Sequence, residues 1–154
     1  MDASLLAASL ESSAFGLWMR AGWTYPIANA LHLIGLALLL GPIVLIDLRV
    51  LGYARELPLG SLTSALTPFV VAGFLIAAIS GFALFAADAT ALVGHRLLWI
   101  KLVVIALALI NAIMFRLAFN EPANTPPWTA RGMALLSILL WTGVLVAGRM
   151  IAYV

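Results

Sequence analysis

The chemistry open to this 154-residue chain is limited by how few reactive side chains it contains. It has no cysteine, which excludes disulfides, thiolate metal sites, iron–sulfur clusters and thiol catalysis. Its two histidines, His32 and His95, are therefore the only imidazoles that can bind a metal or carry a proton near neutral pH. The net charge of +2 comes without any run of basic residues, so nothing indicates nucleic-acid binding.

Polar side chains that interrupt long apolar segments are the other candidates. His32 lies six residues after Pro26, about 9 Å into the first apolar segment at 1.5 Å per residue, and Asn29 lies one turn nearer its start. Lys101 is about 6 Å into the third segment, and Arg149 is about 8 Å from the end of the fourth. If successive segments alternate in direction, these groups lie at similar depth below one membrane face, which favours a polar, cationic pocket there.

Such a pocket suits heme b, because a neutral imidazole binds the iron while basic side chains hold the propionates near the membrane surface. A quinone or lipid without heme is an alternative occupant of the same pocket. Copper is disfavoured, because the five methionines are scattered and form no cluster with histidine. The predicted metal ligands are His32 and His95, and the other predicted cofactor-binding residues are Asn29, Gly35, Lys101 and Arg149.

Each of these assignments has a structural alternative. His95 falls in a loop near the headgroups, so Met19 or Met150 can replace it as the second axial ligand. His32 can serve only as a hydrogen-bonding residue between helices. Gly35, one turn from His32, either lets a flat macrocycle rest against backbone or allows close helix packing. Lys101 and Arg149 can extend their charged ends to the headgroups.

The string DLRVLG, residues 47–52, is the most distinctive feature at the opposite end of the first apolar segment. Asp47 and Arg49 can pair with Arg116 or Glu121 in a charge network that holds helix ends together. The functional alternative is a proton entry point or a contact with a partner protein. Asn111 lies deeper in the third segment.

The elements that must position these residues follow from composition. Hydrophobic residues make up 65% of the chain and charged residues only 9%, too few to cover a water-facing surface. We therefore predict an all-α integral membrane protein, an up-and-down four-helix bundle with an N-terminal interfacial helix, forming one domain over residues 1–154. The interfacial helix is expected at about 12–21, capped by Ser12 or Ser13, and the spans at about 26–47, 66–87, 97–118 and 133–154.

Orientation follows from the basic residues that flank the spans. We call the face at the start of the first span side A and the face carrying the 47–64 connection side B. Once Lys101 and Arg149 are set aside as in-span residues, side B carries four arginines and side A two. The positive-inside rule then places side B in the cytoplasm and both termini in the periplasm.

Four strings in the chain carry a resemblance to known proteins. They are HLIGLALLLGPIVLIDLRVLG (32–52), SGFALFAADA (80–89), the IK…LALINAIMF segment (100–115) and LLWTGVLVAGRMIAY (139–153). In this order they resemble a group of small bacterial inner-membrane proteins catalogued as a domain of unknown function. The architecture is also similar to the four-helix cytochrome b561 and copper-resistance membrane proteins, which is a likeness of fold.

These observations lead to two main hypotheses and one variant. The first is a small heme b protein of the bacterial inner membrane that passes electrons between a quinone or a redox partner protein and an acceptor. The second is a non-catalytic accessory or scaffold subunit of a larger membrane complex, or a homo-oligomer in the lipid bilayer. The variant is quinone or lipid binding without heme. No hydrolase, phosphate-loop or zinc-protease motif is present, so any enzymatic activity is expected to be redox chemistry.

Overall fold

The computed structural model describes residues 2–119, 125–151 and 153. These residues are helical throughout, apart from short turns. In chain order the helices are α1 (Ala3–Glu11), α2 (Ala14–Arg20), α3 (Thr24–Leu51), α4 (Leu59–Ala87), α5 (Ala89–Val93), α6 (Arg96–Ala118) and α7 (Trp128–Ile151).

Four of these helices, α3, α4, α6 and α7, are long and apolar enough to cross a membrane. Their lengths of 28, 29, 23 and 24 residues exceed the roughly 20 residues that a bilayer core requires. About half of their large apolar side chains are exposed, as is typical of helices whose surroundings are lipid rather than water. The predicted all-α class with four apolar spans is confirmed.

The helix boundaries differ from the sequence-based ones where helix continues beyond the apolar core. α3 runs on to Leu51 and α4 begins at Leu59, so the predicted 47–64 connection shrinks to the turn between them. α7 begins at Trp128, ahead of the predicted start at residue 133. The physical reason is that a charged residue ends the apolar stretch but leaves the backbone hydrogen-bond ladder intact.

The N-terminal part forms two helices rather than the single interfacial helix expected at 12–21. α1 ends at Glu11, and Ser13 then caps α2 by accepting a hydrogen bond from the Gly16 amide at 3.2 Å. Ser13 is thus the cap, as one of the two predicted serines. α1 and the five-residue helix α5 were not predicted, because short helices carry little periodic signal.

The chain divides into two compact units, each described by itself. The first contains Met1–Leu39 and Val71–Arg96. Within it α3 and α4 approach so closely that backbone meets backbone. A Cβ added to Gly35 would lie 2.6 Å from the Ala77 amide nitrogen, and one added to Gly73 would lie 2.4 Å from the Leu39 nitrogen. These two glycines therefore set the distance between the helices.

Within the first unit, polar contacts of Glu11 and Arg20 hold the N-terminal helices against the residues at the start of α5. We call this set of contacts the polar clasp. Glu11 forms an ion pair with Arg20 and accepts a hydrogen bond from the Thr90 amide at 2.8 Å, at the start of α5. Arg20 also donates through Nε to the Ala87 carbonyl at 2.5 Å. Hydrogen bonds from Thr90 and then Arg20 lower the pKa of Glu11 from 4.5 to about 2.

The second unit contains Leu40–Val70 and Leu97–Val154. One apolar cluster in it joins the end of α3, the start of α4, α6 and α7. Its members are Ile46, Val50, Leu51, Leu59, Phe115, Phe119, Ala130 and Ala134. The alanines of α7 let Val50 pack until none of its surface is exposed, so the ends of these helices are fixed by close packing.

The glycine contact between α3 and α4 predicts that the effect of a glycine-to-alanine substitution on stability depends strongly on which glycine is replaced. Gly73→Ala should destabilise the protein by about 1–3 kcal/mol, because its new methyl meets backbone that cannot move aside. Gly41→Ala is the matched control, since nothing lies within 4 Å of a Cβ there and alanine is the better helix former. Thermal unfolding in detergent measures both, and equal melting temperatures for the two variants would contradict the close contact.

The clasp predicts a pH-dependent attachment of α1 and α2. Because the pKa of Glu11 is lowered in the folded chain, its stabilising effect is complete above 4.5 and is lost as the pH falls through about 2. The chemical shift of the Thr90 amide, followed by NMR in micelles, should report this transition. At neutral pH the Glu11→Gln variant should show a Thr90 resonance at a different chemical shift from the wild type. Asp2→Asn is the control, because the Asp2 side chain caps nothing. A Thr90 resonance unchanged in Glu11→Gln would refute the clasp.

Candidate functional site

His32 is held by hydrogen bonds to the neighbouring helix within the first unit. Its Nδ1 lies 2.9 Å from the Ala77 carbonyl oxygen and 3.2 Å from the Ser80 hydroxyl oxygen, both on α4. The Ser80 hydroxyl in turn donates to the Ile76 carbonyl at 2.5 Å. The half-buried imidazole is therefore fixed in orientation by α4.

These contacts determine which ring nitrogen carries the proton. A carbonyl oxygen can only accept, so Nδ1 of His32 must donate to Ala77. The Ser80 proton is directed to Ile76, so its oxygen is available to accept from the same Nδ1–H. In the neutral imidazole the lone pair then lies on Nε2, the nitrogen on the other side of the ring. This is the tautomer that binds a metal through Nε2.

Two glycines near His32 have different surroundings. Gly81 makes room for the imidazole itself, because a Cβ there would lie 3.0 Å from Cε1 and 3.3 Å from Nδ1 of His32. Gly35 is buried against the α4 backbone at Ala77 and Gly73. The face of Gly35 that was expected to support a macrocycle is thus occupied by α4, and helix packing accounts for this glycine.

The other residues of the first unit that were predicted to bind the cofactor or the metal have their own surroundings. Asn29 is exposed on α3, one turn before His32. His95 lies in the turn between α5 and α6, half-buried, with its backbone amide bonded to the Leu92 carbonyl. Met19, the alternative ligand, is buried among Ala28, Ala87 and their neighbours. The identity of a second axial ligand stays a prediction.

Lys101 and Arg149 belong to the second unit, where α6 and α7 run side by side. The Lys101 side chain lies along Gly148, with Nζ 3.2 Å and Cε 3.4 Å from the position of a Cβ there. Arg149 is exposed and turns to Tyr153, donating to its hydroxyl and stacking its guanidinium carbon 4.7 Å from the ring centroid. The unit thus brings an ammonium and a guanidinium to the same end of α6 and α7.

The residues of the DLRVLG string do not form the predicted charge network among the described residues. The only ion pair of residues 2–119, 125–151 and 153 is Glu11–Arg20. Arg49 donates to the Leu57 carbonyl at 2.7 Å and the Arg55 carbonyl at 3.0 Å, and these hydrogen bonds stabilise the turn after α3. Asp47 is buried beside Ser137 of α7 instead of pairing with Arg116. Glu121, the other predicted partner, lies outside the described residues.

Sequence reasoning missed two serines that contact the predicted residues, Ser80 at His32 and Ser137 at Asp47. A comparison of how deep the polar residues lie in their helices would have identified Ser80. Ser80 lies seven residues from the end of α4 and His32 eight from the start of α3, so both are about 11–12 Å from their helix ends. Over the described part of the chain, no group of three or more His, Cys, Asp or Glu side chains is arranged to hold a metal ion.

Comparison with known proteins identifies a family but no characterised relative. No curated protein and no solved structure matches the chain, so the likeness to cytochrome b561 and copper-resistance membrane proteins finds no support. The sequence model described as Family of unknown function (DUF6644) matches residues 12–154, which include all four apolar helices. The chain therefore belongs to the Family of unknown function (DUF6644), a family that brings no assigned activity with it.

Proposed function

We propose that this protein is a small heme b protein of the bacterial inner membrane, with His32 as an axial ligand, and that it transfers electrons. The observation that carries the proposal is the hydrogen bond from His32 Nδ1 to the Ala77 carbonyl. Histidines that ligate metals usually donate their other ring N–H to a carbonyl, a carboxylate or water, which fixes the ring and increases its basicity. The absence of cysteine and of a protein-only metal cluster in the described residues leaves heme as the best match to one oriented imidazole.

The residues around His32 have separable roles in this proposal. The Ala77 carbonyl and the Ser80 hydroxyl hold the Nδ1–H tautomer, and Gly81 leaves the space that the ring occupies beside α4. Heme, when bound, supplies the one-electron redox chemistry that no side chain of this chain provides. The hydrogen bond donated by Nδ1 would make the His32 imidazole a stronger electron donor to the iron. This would lower the reduction potential of the heme, because a more electron-donating ligand stabilises the oxidised iron.

Several features of the proposal rest on sequence alone. His95 as second ligand, and Lys101 and Arg149 as partners of the propionates, stay predictions. A quinone or a redox protein is proposed as the electron partner. We propose an orientation with side B in the cytoplasm and both termini in the periplasm. Four arginines that flank side B support it by the positive-inside rule: Arg49, Arg55, Arg116 and Arg131.

The proposal predicts that His32→Ala abolishes heme retention while the protein stays in the membrane. Removing the imidazole removes the iron ligand, whereas each interhelical hydrogen bond lost with it typically costs the fold only about 0.6 kcal/mol in a membrane. The heme-to-protein ratio of the purified variant, measured as the pyridine complex, should fall at least tenfold. Ser80→Ala is the matched control, because it leaves the Ala77 bond in place and should keep most of the heme. Full heme content in His32→Ala would show the ligand assignment to be wrong.

A second variant separates loss of the ligand from loss of the fold. Gly81→Ala keeps His32 but places a methyl 3.0 Å from Cε1, which forces the ring to move. Heme affinity should fall while the melting temperature changes little. Gly143→Ala, whose methyl would meet Val104 at an ordinary 3.7 Å, should leave heme content unchanged. A well-folded wild-type protein without heme would favour the accessory-subunit hypothesis, in which His32 only joins two helices.

A further inference from the structure

Asp47 is an acidic side chain buried within a membrane-spanning helix, independent of the His32 site. Only 8% of its surface is exposed, and its Oδ2 atom is buried without any hydrogen-bond partner. Among the described residues it is the only buried side-chain oxygen or nitrogen left in that state. Ionisable residues inside spans are rare and usually mark an ion or proton path, so this orphaned oxygen requires an explanation.

Asp47 lies between apolar residues of α3 and beside one neutral polar side chain of α7. Ile46 and Val50, on either side of it in α3, belong to the apolar cluster of the second unit with Phe115 and Ala134. Ser137 of α7, itself only 7% exposed, is the hydrogen-bonding neighbour of the carboxyl group. One turn earlier on α7, the Met133 carbonyl accepts from Asn111 Nδ2 of α6 at 3.1 Å.

Asp47 forms no ion pair with another of the described residues. Arg49, on the same helix, donates to the carbonyls of Leu57 and Arg55. Arg116 on α6 and Arg131 on α7 are exposed and form no ion pair with Asp47. Helix α4 has no charged residue, and Lys101 and Arg149 are ten and twelve residues from Asn111 and Ser137, about 15–18 Å along their helices.

An unpaired carboxylate in such a place is strongly disfavoured, because desolvation penalises the charged form. A proton removes the charge and needs only one oxygen. A metal cation would need several more oxygen ligands, and the described residues form no group of acidic or histidine side chains able to hold one. A bound proton therefore accounts for the orphaned Oδ2.

We infer that Asp47 is a proton-binding site inside the membrane-spanning part of the protein, loaded and unloaded from side B. The carboxylate takes one proton from a hydronium ion and releases one water, and the reverse step returns the proton, with no change in oxidation state. The residue lies four positions before the end of α3, about 6 Å from that end of the helix, which is a short distance for a proton to travel. Ser137 is a positioning residue that orients the carboxyl group.

Infrared spectroscopy of the protein in lipid vesicles tests this assignment directly. At neutral pH the wild-type protein should show the C=O stretch of a neutral carboxylic acid, shifted in heavy water, and Asp47→Asn should lose this band. Asn has the same shape and no charge, so helix content should be unchanged. Glu56→Gln, which removes an exposed carboxyl group from the turn after α3, is the matched control and should keep the band.

Ser137→Ala supplies a second readout that does not remove the proposed site. Loss of the hydroxyl neighbour should raise the frequency of the same C=O stretch without abolishing it. Two results would overturn the inference: a neutral-pH spectrum that is identical in wild type and Asp47→Asn, or an Asp47 carboxylate band that responds to sodium rather than to pH. The second would identify a cation site in place of a proton site.

Discussion

A polar side chain inside a bilayer has no water to satisfy it, so its hydrogen-bond partner must come from the protein itself, and often from a neighbouring helix. Three side chains of this protein illustrate the constraint. Asn111 donates to the Met133 carbonyl, and His32 donates to the Ala77 carbonyl. Asp47 has a buried oxygen for which the described residues supply nothing. The first two contacts join helices. In our proposals the His32 contact also prepares the imidazole to bind heme iron, and the unpartnered oxygen of Asp47 marks a proton site.

The close approach of α3 and α4 makes the His32 contact possible. Gly35 and Gly73 remove the side chains that would otherwise hold these backbones apart, and Gly81 leaves space for the imidazole ring. An imidazole on α3 can then reach a carbonyl of α4 directly. The glycines are therefore part of the positioning of His32, although none of them needs to touch a ligand. Family membership adds no activity, so the case for heme depends on this local chemistry.

The sequence predicts the four apolar helices, and it draws attention to His32 and Asp47 because charged and polar side chains are so scarce in and beside the spans. It does not predict the partners. The acceptor for His32 is a backbone carbonyl, which every residue has, and serine is too common a residue type for Ser137 to be singled out. The expected pairing of Asp47 with Arg116 was wrong for a related reason: opposite charges at similar depth suggest a pair, but helix rotation decides which side chains meet. The short helices α1 and α5 were missed because tertiary contacts such as Glu11 with Thr90 stabilise them.

The central claim is that His32 is presented to a heme iron, and an optical spectrum of the purified protein tests it most directly. The protein should be expressed with ample heme supply, purified in detergent, and measured as isolated and after dithionite. The account predicts a Soret band, with α and β bands that sharpen on reduction as expected of low-spin heme b. A spectrum that contains only tryptophan and tyrosine absorption would contradict it, and would leave His32 as a hydrogen bond between two helices.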